Sequence, residues 1–266
     1  MTIKICLAGV SGWTGKSIAE EILKSSDLEL VGAVSRSHAG TDVGTLLGLA
    51  PTGLLIVDTV EAALKVPVDV FVDYTSAVAV KEHVKTALAK DLSLVIGSSG
   101  LSAADYEEID AEAKRRSVGV IACGNFAITA ALAKHFATLA AKYLPHWEII
   151  DYANDHKMDA PSGTARELAE ALADIRTNEI AISQESIVGA RDARGAMVCG
   201  TPVHSIRLPG YTLGFETIFG LPDEKLFIKH ESGSGAGPYV AGTLLAIRRV
   251  SSLNGLVRGM DTLLFG

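Results

Sequence analysis

Apolar residues in the first half of the chain fall in short runs, separated by stretches of helix-forming composition. Ile3–Ala8 predicts a buried strand, 14–24 a helix and Leu28–Val34 a second strand. Residues 54–57, 68–72, 92–96 and 118–122 are further strand candidates. Between them, 59–65, 78–90 and Ala103–Arg116 read as helices. Strands that are apolar throughout and alternate with helices predict an α/β, doubly wound parallel sheet covered on both faces.

The pattern changes after residue 126. The alanine-rich stretch 128–143 predicts one long helix, followed by a strand at 147–152 and a helix at 163–173. Between 196 and 231 the strands 203–208, 212–219 and 226–230 come without helices, the signature of a mixed, antiparallel-containing sheet. Residues 239–250 are helical again, after a flexible-looking Ser232-Gly233-Ser234-Gly235-Ala236-Gly237 junction. The expected organisation is a doubly wound domain of 1–125 and 236–266, with an α+β domain of 126–235 inserted. The chain has no internal repeat and no low-complexity tract.

Composition narrows the function classes. Of 266 residues 48% are apolar, and 24 Lys plus Arg against 31 Asp plus Glu give a formal charge of −7. Such a chain folds with its own core, and its acidic balance excludes phosphate-tracking along nucleic acid. Cys6, Cys123 and Cys199 are scattered without zinc-type spacing, so neither a disulfide framework nor a metal is expected. A reducing cytoplasm is the expected compartment. The first residues read as a strand rather than a signal or transit peptide. No apolar run approaches the roughly 18 residues that would span a membrane.

Gly9-Val10-Ser11-Gly12-Trp13-Thr14-Gly15 follows the first predicted strand and opens the first helix. Glycines there let the main chain approach a pyrophosphate, and the helix start supplies N–H donors. The spacing is GxxGxxG rather than GxGxxG, so its place between strand and helix carries the reading. The plainer alternative is a tight turn with no ligand. Trp13 sits within the turn, where a long side chain could lie over the cofactor phosphates. At the end of the second strand, where an NAD site usually carries a carboxylate, the chain reads Val34-Ser35-Arg36-Ser37-His38. Arg36 suits a 2′-phosphate, so NADPH is expected in preference to NADH. A solvated loop arginine is the alternative.

Asp151-Tyr152-Ala153-Asn154-Asp155-His156-Lys157-Met158-Asp159-Ala160-Pro161-Ser162-Gly163-Thr164-Ala165 is the most informative stretch. Ser162, Gly163 and Thr164 present hydroxyls and free N–H groups at a helix start, a nest for a carboxylate. Lys157 adds charge or a proton nearby. An N-capped helix beside a surface lysine is the equally available local reading.

With this loop, the glycine turn, Val72-Asp73-Tyr74-Thr75, Val95-Ile96-Gly97-Ser98-Ser99-Gly100, Ala122-Cys123-Gly124-Asn125-Phe126 and His204-Ser205-Ile206-Arg207-Leu208-Pro209-Gly210, the sequence resembles the dihydrodipicolinate reductase family along almost its whole length. The resemblance implies a Rossmann domain closed by the C-terminal segment. It also implies a central substrate and oligomerisation domain that forms a homotetramer through its sheet. The implied reaction is hydride transfer from NAD(P)H to a cyclic, imine-like dicarboxylate in lysine and diaminopimelate biosynthesis. By the same resemblance Gly9, Ser11, Gly12, Trp13, Thr14, Gly15, Ser35 and Arg36 hold the dinucleotide. Gly97, Ser98 and Ser99 lie near the nicotinamide, and Asn125 and Phe126 form the interdomain hinge. Asn154, Ser162, Gly163 and Thr164 bind the anionic substrate, and Lys157 is the catalytic residue.

The sequence departs from the family pattern in several places. Ser35 stands where many members have Glu, Trp13 where many have Arg, and Ser98 and Ser99 replace two threonines. The family's adjacent histidine pair has become Ala153 and Asn154. Alanine exchanges no proton and asparagine does not titrate near neutrality, while a general acid contributes about 10²–10⁴-fold. Lys157 is the replacement expected, with Tyr152 and Asp155 unplaced. Two alternatives accompany the lysine-pathway reading: reduction of a different imine or enamine acid, and a non-catalytic NADPH-binding protein. His204 and Arg207, three apart in a strand, point to opposite faces, toward the substrate site or toward packing and a subunit interface. Asp73 reads as a loop organiser, and Cys123 and Trp147 as packing residues.

Overall fold

The computed structural model describes residues 2–266. The chain divides into two units, one of Met1–Ile128 with Ala236–Gly266 and one of Thr129–Gly235. The first segment runs through β1 (Ile3–Ala8), α1 (Trp13–Lys24), β2 (Leu28–Val34), α2 (Val43–Leu46), α3 (Val60–Ala63), β3 (Val70–Asp73), α4 (Val80–Leu88), β4 (Ser93–Ile96), α5 (Ala103–Arg116) and β5 (Gly119–Ala122). Next come α6 (Ile128–Ala141), β6 (Trp147–Ala153), α7 (Gly163–Ile175), β7 (Ala196–Val198), β8 (Thr201–Arg207), β9 (Leu213–Leu221) and β10 (Glu224–Ser232). The last segment adds α8 (Gly237–Val250), β11 (Gly255–Arg258) and α9 (Met260–Phe265).

The first unit holds a parallel six-stranded sheet in the order β11-β5-β4-β3-β1-β2. Every residue of β3, β4 and β5 is buried, as a sheet covered on both faces requires. Phe71, Leu94, Ile96 and Val120 form one layer of core with Val80 and Val84 of α4. Helix α5 is fixed at both ends. Ser102 and Asp105 make a capping box, and Ser117 closes the other end in the left-handed conformation after Lys114, Arg115 and Arg116. Helix α8 packs against α1 and onto β3, β4 and β5, and Arg248 grips Asp27 with Nε at 2.6 Å and Nη2 at 2.9 Å. β1 and β3 are neighbours while β1 and β2 are consecutive, so the strand order reverses beside β1. Their carboxyl ends border the crevice where such sheets take ligands.

The strand expected at 54–57 does not form. Val57 donates its N–H to Ala33 and accepts from Ser35, whereas Leu54 and Ile56 bond to Val43, Gly40 and Thr41. The segment's polar groups are shared between two neighbours, so only single bridges result, Val34 with Val57 and Asp42 with Leu55. The short β7, β11 and α9 carry no clear periodicity and were not among the expected elements.

The second unit holds a mixed five-stranded sheet, β10-β9-β6-β8-β7. β6 is its centre, parallel to β8 and antiparallel to β9. Its alternating burial sends Trp147, Ile149, Asp151 and Ala153 to one face. α7 lies against β6, β7 and β8. Its buried Ala165, Leu168, Ala169 and Leu172 follow the helical period.

Candidate functional site

In the first unit the glycine turn links β1 to α1. Gly9 has φ +86°, and a Cβ there would overlap the Tyr74 carbonyl oxygen; one on Gly15 would overlap the Gly9 carbonyl. Those two glycines are demanded by the fold itself. Gly12 is less crowded: its Cβ would meet the Gly9 carbonyl oxygen at 3.2 Å and the Tyr74 carbonyl oxygen at 3.9 Å. No side chain caps α1, which starts from Gly12, so its first N–H groups remain open donors. An uncapped helix start at a glycine is what an anion needs.

Gly9, Ser11, Gly12, Ser35 and Arg36 line one cavity of about 460 Å³, with Ser37, Asp58, Tyr74, Thr75 and His83 among the other walls. Ser11 and Ser35 share a hydrogen bond of 2.7 Å, and Ser35 and Ser37 one of 3.3 Å. Arg36 is exposed, and among the described residues no ion pair engages it. Trp13 is 55% exposed at the first position of α1, its ring edge-on to Tyr239 at 5.8 Å. Thr14 is half-buried beside it.

The opposite wall is organised by Asp73, which is fully buried. It accepts from Thr75 N at 3.0 Å, Thr75 Oγ1 at 2.7 Å, Ser98 Oγ at 2.5 Å and His83 Nδ1 at 2.8 Å. Burial alone would raise its pKa, but the bonds from His83, Ser98 and Thr75 outweigh it and hold the carboxyl below its ordinary value. Ser98 thus turns its hydroxyl toward Asp73 and also accepts from Thr75 N at 2.7 Å. Ser99 is exposed on the same loop, and Gly97 sits against the Tyr74 ring. Phe126 is a core residue, 1% exposed, with its ring 5.9 Å from that of Tyr74. The Asn125 side chain accepts from Ala127 N at 2.8 Å and shapes the turn before α6.

In the second unit the loop after β6 leads into α7. Ser162 is the N-cap: its Oγ accepts from Ala165 N at 3.2 Å and donates to Asp151 Oδ1 at 2.7 Å. The hydroxyl is therefore committed to the protein. The N–H groups of Gly163 and Thr164 are the open donors, and nothing lies within 4 Å of where a Gly163 Cβ would be. Lys157 Nζ pairs with Asp159 Oδ1 at 2.7 Å, and that hydrogen bond is the main reason the Asp159 carboxyl sits below its ordinary range. Asn154 folds its side-chain oxygen onto His156 N at 3.0 Å. Ala153, at the position of the family's first histidine, is fully buried.

Asp151 and Asp159 receive no site role from sequence, and Arg207 is there one of two residues, with His204, left between the substrate site and packing. Asp151 is 1% exposed. It accepts from Ser162 N at 2.8 Å, from Ser205 Oγ at 3.2 Å and from Arg207 Nη2 at 2.7 Å. Only the pairing of β6 with β8, which sets Asp151 opposite Ser205 and Ala153 opposite Arg207, brings these groups together. His204 points to the other face, onto Glu148 at 2.7 Å. Tyr152 on that face donates to Glu216 at 2.8 Å; burial and then that carboxylate push its pKa up, which makes it a poor acid.

Two family models match the chain end to end. The model of the dihydrodipicolinate reductase N-terminus covers residues 3–126, and that of its C-terminus residues 126–264. A 4-hydroxy-tetrahydrodipicolinate reductase of Moorella thermoacetica is 37% identical over 264 residues, 99% of this chain and 98% of the relative. Among solved structures, a dipicolinate-bound dihydrodipicolinate reductase from Paenisporosarcina sp. TG-14 superposes with a TM-score of 0.84 at 30% identity, covering 99% of this chain and 100% of the other. A gentamicin A biosynthesis protein in complex with NAD has a TM-score of 0.66 at 15% identity, covering 98% of this chain and 90% of the other, and shares the fold.

Proposed function

The chain belongs to the dihydrodipicolinate reductase family, and we propose that it reduces 4-hydroxy-tetrahydrodipicolinate to tetrahydrodipicolinate with NADPH. The observation that carries the substrate half is the start of α7. Gly163 and Thr164 offer two open N–H donors at a helix N-terminus with no side chain in the way, and Lys157 lies on the same short loop. Such an end takes a carboxylate. Lys157 adds positive charge for the anionic substrate and is the proposed proton donor. Its ion pair with Asp159 holds the ammonium on the loop.

The residues of the first unit fit a dinucleotide: an uncapped α1 that starts from Gly12, and a serine-lined cavity. A bound nicotinamide supplies the hydride. The unpaired Arg36 beside Ser11, Ser35 and Ser37 favours a 2′-phosphate, so NADPH is the proposed cofactor in preference to NADH. Asp58 is the one carboxylate on that cavity's wall available to ribose hydroxyls, since Asp73 is buried behind Thr75.

A second reading rests on Ala153. A buried methyl where the family carries a histidine changes both the pocket and the proton source, which favours a different cyclic imine or enamine acid. A purely binding role is set aside, because Lys157 and the α7 donors are retained and the relatives are named as reductases. Oxidation of NADPH by freshly generated substrate, beside a panel of cyclic imine acids, tests all three. Turnover of another imine alone would overturn the first reading, and no turnover of any would overturn both enzymatic ones.

A homotetramer in the cytoplasm completes the proposal. Among the described residues no helix is long and apolar enough to cross a membrane. No disulfide joins Cys6, Cys123 or Cys199, and burial pushes the Cys6 thiol up to about 12. Phe227 of β10 is 56% exposed on the second sheet, the kind of apolar surface a copy of the chain would cover. Light scattering tests the tetramer, and a monomer would refute it.

A further inference from the structure

We propose that Arg207 is a positioning residue that holds the two working parts of the substrate loop, Lys157 and the start of α7, in one fixed geometry. The inference rests on the reading of that loop as the substrate site. β8 runs parallel to β6 with Arg207 opposite Ala153, so the guanidinium reaches Asp151 on the same sheet face. Nη2 donates to Asp151 Oδ2 and to the Asp159 carbonyl oxygen, both at 2.7 Å. Nη1 donates to the Asp151 carbonyl at 3.1 Å and the Ile206 carbonyl at 3.0 Å.

Each acceptor leads to a different function. Asp151 holds Ser162 by its N–H and its hydroxyl, at 2.8 and 2.7 Å, and Ser162 caps α7. The direction of the Gly163 and Thr164 donors is therefore set from Arg207 through one buried carboxylate. Asp159 is fixed by its carbonyl, and its carboxylate holds Lys157 Nζ at 2.7 Å. One planar side chain thus sets both the anion site and the charged amine. Its Nε is buried without a partner: the guanidinium is oriented for the two loop contacts at the expense of its own hydrogen bonding. A lysine would keep the charge opposite Asp151 but could not reproduce the forked contacts.

The test compares wild type with Arg207→Lys and with Asp151→Asn, the second keeping a reporter if the first does not fold. The readouts are KM and kcat with 4-hydroxy-tetrahydrodipicolinate, calorimetric affinity for dipicolinate, affinity for NADPH, and thermal melting. In both folded variants KM and the dipicolinate Kd rise roughly tenfold or more, kcat falls, and NADPH affinity stays within about twofold. The double variant loses less than the two single effects combined, because Arg207 acts through Asp151. Lowered melting temperature with unchanged KM, kcat and dipicolinate affinity would reduce Arg207 to a structural residue and overturn the proposal. Wild type that neither turns over the substrate nor binds dipicolinate overturns the substrate-site reading and this inference with it. Wild type active and variants unaffected overturns the inference alone.

Discussion

Replacing Ser162 with alanine separates a hydroxyl that binds substrate from one that builds the site. The hydroxyl is 2.7 Å from Asp151 Oδ1, to which it donates, and 3.2 Å from Ala165 N, from which it accepts. Ser162 is 4% exposed, so neither bond is made to water instead. Loss of the N-cap costs about 1 kcal/mol. Loss of a donor to a buried carboxylate costs about 1.5–3 kcal/mol, partly offset because Asp151 keeps Ser162 N–H, Ser205 and Arg207. The sum, about 2–4 kcal/mol, lowers the melting temperature of the second unit by roughly 8–16 °C, at about 4 °C per kcal/mol for a unit of its size. Urea unfolding or calorimetry of the full chain reads this directly. Because the hydroxyl has no donor left for a ligand, KM rises only as far as the α7 start loosens, and Ser162→Ala loses stability before it loses affinity. Unchanged stability with a large loss of dipicolinate affinity would refute the reasoning and return the hydroxyl to the substrate.

Arg36→Ala weakens NADPH about tenfold, from the low end of a charge-assisted bond of about 1.5–3 kcal/mol given its exposure, and leaves NADH nearly unaffected; titration of both cofactors decides it, and equal losses would place Arg36 elsewhere. NADPH binding changes the emission of exposed Trp13, and Trp13→Phe removes the change, since Trp147 is buried in the other unit; a response that survives the substitution would move the cofactor away from α1. The Asp73 carboxyl titrates below its unfolded value of about 3.9, so its stabilisation is complete above that pH and is lost as pH falls through the lower folded value. Asp73→Asn therefore flattens the acid limb of the stability curve below about pH 4, and an unaltered limb in acid melts would show that Asp73 is not the group responsible.

Much of the first unit was legible because its signals are local. Buried parallel strands read as uninterrupted apolar runs, and Ile3–Ala8, Leu28–Val34 and Ala103–Arg116 form with the boundaries read from sequence. The 54–57 run misled because apolarity reports burial and not partners: Ile56 is buried, but the segment's backbone is divided between two neighbours. In the loop before α7, residue types suggested a nest and a lysine, and the structure assigns the hydroxyl of Ser162 to the cap instead. That exchange depends on Asp151, eleven residues earlier.

By itself the sequence determined the class of each layer, the glycine turn, the unusual absence of the histidine pair and the loop that carries the family resemblance. These follow from residue types in contiguous stretches, where spacing alone fixes face and turn. Tertiary structure decided which polar groups spend their hydrogen bonds on the protein and which stay open. Asp151 and Arg207 lie 56 residues apart, and nothing in either neighbourhood marks the other. They meet because β8 pairs with β6 in a single register, and a shift of one residue would turn Arg207 to the opposite face.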